Sequence, residues 1–170
     1  MSILRKTTAN DIPAVMEIIE QGKSYLRSNG IDQWQNGYPG EDIIREDIDN
    51  GYGYVLEYDD KVIGTVALSF DGEPWYDDIR DGQWLSDGAF LVIHRLAVRS
   101  DVRGTKFASE IIRQAEKFCI KQYVNSIKID THEDNVIMRN FVKKNGFEYC
   151  GIVMLGSEGE RLAFEKTLKY

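Results

Sequence analysis

The sequence predicts an α/β fold, a mixed sheet with helices on its faces. Three observations predict it. The segment Val92–Ala108 runs from an apolar, β-branched strand through a short basic loop into a helix with apolar residues at helical spacing. The order of elements is β-α-α-β-β-β-α-β-α-β-β, hairpin-rich at first and alternating later. The length of 170 residues suits one domain, 1–170, with one core.

Ile3–Lys6 reads as the first strand. Asn10 and Asp11 open a helix that tolerates Pro13 in its first turn. Ile12, Val15, Met16, Ile19 and Leu26 form its apolar face, and Gly22 is expected to bend or end it. The polar and aromatic loop 28–40 leads to a second helix, Glu41–Asp49, stopped by Asn50-Gly51. Tyr52–Tyr58 and Lys61–Phe70 form a hairpin turning at Asp59-Asp60. The loop Asp71–Gly88 is too long for simple punctuation, which points to a functional role. Ala89–Val98 is the apolar strand and Thr105–Tyr123 the helix after the basic loop. Ser126–Thr131 (strand), Asn135–Asn145 (helix), Phe147–Val153 (strand) and Arg161–Leu168 (strand) complete the chain.

The net charge of −7 argues against a nucleic-acid backbone as the main partner. It suits a cationic substrate, and equally a solvated acidic surface. No apolar run approaches the ~20 residues of a membrane span, and residues 1–11 lack the apolar stretch of a signal peptide. Cys119 and Cys150 form no CxxC pair and read as small buried hydrophobes. The expected compartment is the cytoplasm. No metal site is expected.

Against this acidic background, Arg95, Arg99, Arg103 and Lys106 gather around the lone Asp101. A bound phosphate would explain the reversal. The backbone N–H groups of Gly104, Thr105, Lys106, Phe107, Ala108 and Ser109 can converge on a diphosphate at the start of the helix. Arg103 and Lys106 would add charge-assisted contacts. The plainer alternative is a tight turn capping a core helix.

Two motifs in this order resemble the GNAT family of acetyl-CoA-dependent N-acetyltransferases, over nearly the full length. One is Arg103-Gly104-Thr105-Lys106-Phe107-Ala108, preceded by Leu96-Ala97-Val98; the other is the helix from Asn135 to Asn145 with its closing Gly146-Phe147. The resemblance implies a mostly antiparallel sheet with a central splayed parallel pair, formed by the strands ending at Val98 and starting near Ser126. It implies acetyl-CoA as co-substrate, with no metal. The backbone of Leu96, Ala97 and Val98 would pair with the pantetheine arm and give an N–H to the thioester oxygen. Asn135 would cap its helix or touch the cofactor arm, and Lys144 would reach the phosphates or end the helix in solvent. Two departures stand out. Lys106 replaces the family's usual Gly, and Val142 occupies the position where many members carry a proton-donating Tyr.

The implied reaction is direct transfer of acetyl to a primary amine of a small molecule or peptide. Such an amine is mostly protonated at neutral pH and must lose a proton before attack. His94 and His132, the only histidines, are candidate bases or else structural residues. His94 shares strand parity with Leu96 and Val98. Tyr149 is the candidate acid in place of the missing Tyr. Trp34 and Tyr38 in the first long loop, with Trp75 and Trp84 in the second, are candidate walls for an ammonium group beside the loop carboxylates. Their alternative is packing onto the sheet, and a homodimer through these loops is a third reading. The competing function is an acyl-CoA-binding sensor or scaffold without turnover.

Overall fold

A computed structural model describes residues 1–169 of the chain. Among these residues, seven strands and four helices follow the predicted order. They are β1 (Ser2–Lys6), α1 (Ile12–Ser28), α2 (Glu41–Asp49), β2 (Gly53–Tyr58), β3 (Lys61–Ser69), β4 (Leu91–Val98), α3 (Phe107–Lys121), β5 (Ser126–Thr131), α4 (Val136–Lys144), β6 (Glu148–Met154) and β7 (Glu160–Thr167). Short 3₁₀ turns at Ala9–Asp11, Pro74–Asp77, Ser100–Val102 and Gly156–Glu158 punctuate them. The strands make one mixed sheet in the order β1-β2-β3-β4-β5-β7-β6. Its parallel pair is β4 with β5, in register over Leu91–Ile93 and Ile127–Ile129. No helix among the described residues is long and apolar enough to cross a membrane.

The chain divides into two compact units. The first holds residues 1–68 and 94–114, the second residues 69–93 and 115–170. In the first unit, Ile12, Val15 and Ile19 of α1, Ile44 of α2 and Val55 of β2 form the core, with Trp34 packed against it. Gly22 does not end α1, which continues to Ser28. A Cβ there would lie 3.2 Å from the Trp34 ring, so this glycine makes room for the indole. Asp59 and Asp60 both take positive φ (52° and 58°), the twist that a two-residue hairpin needs. Gly64 of β3 lets α3 approach closely, because a Cβ would meet Ile111 Cδ1 at 3.0 Å. α3 begins at Phe107 rather than Thr105, since Thr105 N–H donates back to Val102 O in the preceding turn.

In the second unit, Tyr76, Val92, Val153 and Ala163 form a core joined by Ile79, Trp84, Phe90 and Leu155. The loop expected to be functional thus supplies much of this core. Wholly buried Glu165 of β7 accepts from Leu85 N–H (2.6 Å), from the Ser86 hydroxyl and from the Ser126 hydroxyl (2.6 Å). Arg80 and Ile152 exchange two backbone hydrogen bonds at 2.8 Å, attaching the loop to β6. Both cysteines are buried and unpaired.

Candidate functional site

β4 carries the first part of the site. Leu91, Val92 and Ile93 are fully buried, and from His94 to Val98 the strand is only half-buried. The change coincides with Arg95, whose φ is +53°. A non-glycine residue in that region costs about 1–2 kcal/mol unless its surroundings hold it there. They do so here. Arg95 Nε donates to Asp47 Oδ2 (2.8 Å), Nη2 to Asp47 Oδ1 (2.6 Å) and Nη1 to the Tyr38 hydroxyl (2.6 Å). The two charged side chains are 13% and 9% exposed. Burial works against the guanidinium charge, but Tyr38 and Asp47 outweigh it and hold its pKa above the usual value. The kink also interrupts the two-residue alternation of the strand. The parity expected between His94 and Leu96 therefore does not carry across Arg95.

The loop after β4 carries the second part. Arg99 N–H donates to Ile63 O (2.8 Å), and its guanidinium forks onto Asp101 (2.6 and 2.8 Å). Two of the four basic residues expected near a phosphate, Arg95 and Arg99, are thus neutralised by carboxylates. Arg103 and Lys106 remain. Lys106 is exposed, and the Arg103 guanidinium lies over the Tyr25 ring, 3.9 Å from its centre. Arg103, Ser100 and the α1 face of Glu17, Gln21, Ser24 and Tyr25 line a groove of about 570 Å³.

Gly104 has φ +80°, and a Cβ built on it would meet nothing within 4 Å. Of the six N–H groups expected to converge here, two are used inside the loop. Thr105 donates to Val102 O (3.2 Å) and Phe107 to the Thr105 hydroxyl (3.4 Å). Among the described residues, the N–H groups of Gly104, Lys106, Ala108 and Ser109 meet no acceptor of the chain. Four unpaired donors, an uncovered glycine and two basic side chains fit an anionic group such as a diphosphate. The Phe107 ring faces the other way, against Tyr58 at 5.0 Å.

The remaining candidates belong to the second unit, apart from His94, Trp34 and Tyr38. Asn135 is the N-cap of α4, its Oδ1 accepting from Met138 N–H at 3.1 Å. His132 Nδ1 accepts from Asp134 N–H at 3.1 Å, which leaves Nε2 to carry the proton of the neutral ring. Lys144 is exposed in the last turn of α4. Val142 is fully buried, so this position serves the core and supplies no acid. Tyr149 is 45% exposed, with its ring edge against Phe164.

The four aromatic candidates for an amine wall divide. Trp34 packs into the first core and Tyr38 is bound to Arg95. Trp84 donates to Tyr76 O (2.8 Å) and packs 5.1 Å from the Tyr76 ring. Trp75 alone stays largely exposed, at 52%. Asp71, Asp77, Asp78, Asp81 and Asp87 of the same loop are exposed as well.

Sequence reasoning missed two buried clusters. One is the Asp47–Arg95–Tyr38 clasp, whose only signal was an arginine inside an apolar strand. The other surrounds Lys128 of β5, whose ammonium sits between the Trp84 and Phe90 rings at 4.3 and 4.0 Å. Burial pushes its pKa down, against the pull of Glu165. Nearby, the fully buried Tyr76 hydroxyl donates to Asp130 at 2.5 Å; burial and that carboxylate push its pKa well up.

The sequence model of the acetyltransferase (GNAT) family matches residues 16–147. A GNAT-family acetyltransferase from Streptococcus agalactiae 2603 is 32% identical, with a TM-score of 0.89 over 99% of this chain and 96% of that one. A GNAT-family acetyltransferase from Listeria monocytogenes 4b F2365 shares the fold at 21% identity, with a TM-score of 0.75 over 98% and 95% of the two chains. So does the PaiA N-acetyltransferase of Thermoplasma acidophilum, solved in complex with coenzyme A, at 17% identity and a TM-score of 0.67 over 98% and 99%. Among the curated proteins no match is found.

Proposed function

The chain belongs to the acetyltransferase (GNAT) family, and on that premise we propose that it transfers acetyl from acetyl-CoA directly to a primary amine of a small molecule or peptide. It is an acyltransferase, and we read residues 1–170 as one such domain. Acetyl-CoA supplies an activated acyl group on a sulfur that leaves readily as thiolate.

The observation that carries the donor assignment is the set of unpaired N–H groups at Gly104, Lys106, Ala108 and Ser109. They bind the diphosphate, with Arg103 and Lys106 adding charge. Thr105 and Phe107 shape the loop instead, through their internal hydrogen bonds. The half-buried backbone of Leu96, Ala97 and Val98 orients the pantetheine arm and the thioester. Asn135 holds the start of α4, and Lys144 offers further charge to the cofactor's phosphates.

Direct transfer is supported by the state of the thiols. Burial pushes Cys119 up to about 12 and Cys150 up to about 11, so neither ionises enough at neutral pH to take the acyl group. Their lack of a disulfide suits a reducing, cytoplasmic setting. His94 takes a proton from the substrate ammonium, directly or through water, and so frees the amine to attack; His132 serves in its place only when Nδ1 gives up the Asp134 N–H. Tyr149 returns one to the leaving sulfur. The exposed carboxylates of the loop that carries Trp75 favour a cationic acceptor.

Calorimetric titration with acetyl-CoA, with ATP as control, tests the donor assignment. Binding of acetyl-CoA without ATP is expected, followed by release of free CoA with members of an amine panel. Absence of acetyl-CoA binding would overturn it.

A further inference from the structure

The Asp47–Arg95–Tyr38 clasp has no part in the reading above, yet it sits on the strand to which that reading assigns the thioester. Three of the five guanidinium N–H donors of Arg95 are committed within the chain, and the side chain is almost wholly buried. Nε and Nη2 are committed to Asp47 and Nη1 to Tyr38, all at 2.8 Å or less, and the side chain is 13% exposed. It therefore acts through what it holds.

What it holds is its own backbone. Arg95 has φ +53° in the middle of β4, and the half-buried stretch Leu96–Val98 follows at once. The backbone angles at Arg95 set the plane of the Arg95–Leu96 peptide, and hence where the Leu96 N–H points. An arginine left to itself would return to the extended region, turning that N–H away. The planar guanidinium fork resists this, because it is anchored to two separate elements: Asp47 on α2 and Tyr38 on the loop before α2.

We propose that Arg95 is a positioning residue for the acyl group: clasped by Asp47 and Tyr38, it fixes the kink in β4 and so aims the Leu96 N–H at the thioester carbonyl. This rests on the assignment of that backbone to the acyl donor. Tyr38, expected from sequence to line the amine site, then serves the donor side through its hydroxyl.

The test compares two ligands that differ only in the acetyl group. Wild type, Tyr38→Phe, Asp47→Asn and Arg103→Ala are titrated by calorimetry with acetyl-CoA and with CoA, and thermal melts verify folding. In the two clasp variants acetyl-CoA should weaken by about tenfold, the worth of one well-placed N–H, with CoA changed less than about threefold. Arg103→Ala should weaken both ligands alike. Equal weakening of both ligands in the clasp variants, or no change in either, overturns the proposal. Tyr38→Phe removes one hydroxyl only, so it decides the matter alone if Asp47→Asn does not fold. A wild type that binds neither ligand overturns the donor assignment itself, a result distinct from any pattern among the variants.

Discussion

Replacing Gly104 by proline separates the loop's part in binding from its part in folding. Gly104 has φ +80°, whereas proline is confined near −65°, a rotation of roughly 145°. The preceding residue raises no further obstacle, because Arg103 already has ψ 139°, which a following proline requires. No neighbour lies within 4 Å of a Cβ at this position, and the lost N–H has no acceptor in the chain. The cost to folding is therefore local strain of about 1–2 kcal/mol, a drop of roughly 2–8 °C in Tm for a chain of this size. Binding loses more. One hydrogen bond to a charged group is worth about 1.5–3 kcal/mol, roughly 10–150-fold in Kd. Redirection of the neighbouring N–H groups adds to that. Gly104→Ala keeps the N–H and carries only the left-handed strain, so its loss should be about tenfold or less. Calorimetry with acetyl-CoA, paired with thermal melts, measures both quantities. A folded Gly104→Pro variant that binds acetyl-CoA within about threefold of wild type would refute the diphosphate cradle.

Three further outcomes are expected. A Cβ at Gly82 would lie 1.9 Å from the Cys150 carbonyl oxygen, so Gly82→Ala must lift the loop from β6 and cost about 2 kcal/mol or more; limited proteolysis near Arg80 and urea melts would report it, and an unchanged midpoint would count against it. The hydrogen bonds from Arg5 hold the Asp11 carboxylate below its ordinary 3.8, so its stabilising contribution is present above that value and is lost as pH falls below it. Tm measured against pH should accordingly show Asp11→Asn well below wild type at pH 6, the gap closing under pH 4; a gap independent of pH would disprove the linkage. With both thiols buried and their pKa values raised, native protein should resist iodoacetamide at pH 8 and keep its transferase activity; fast labelling with loss of transfer would revive an acyl-enzyme route.

The element order was legible because periodicity and turn residues agree. Ile12, Val15 and Ile19 recur at helical spacing, and Asp59-Asp60 between two alternating runs could only be a hairpin. The basic loop stood out because cations gather there in an acidic chain, although two of the four, Arg95 and Arg99, are paired with carboxylates of the chain. What periodicity cannot show is a change of backbone hand inside a strand, and Arg95 looks like any alternating residue until Asp47, distant in sequence, is seen to hold it. Buried charge was equally hidden. Nothing in the strand sequences singles out Lys128 or Glu165, yet one is caged by two aromatic rings and the other gathers three donors. Trp34 and Trp84 look like ligand walls because sequence gives size and polarity, not direction. The missing side chain at Gly22 leaves room for the Trp34 ring, and that pairing is invisible in sequence.

The long loop between β3 and β4 is fastened by groups of two different kinds. Glu165 holds Leu85 by its main chain, Arg80 pairs with Ile152 backbone to backbone, and Tyr76 and Trp84 are sunk in apolar surroundings. The aspartates at 71, 77, 78, 81 and 87 are exposed to water, and none of them makes the bonds just named. The loop thus behaves as a keel with interchangeable paint. Its outward residues can be rewritten, by drift or by an engineer, without loosening the frame that carries them. Under the function proposed above, acceptor preference could then diverge while the donor chemistry stays untouched.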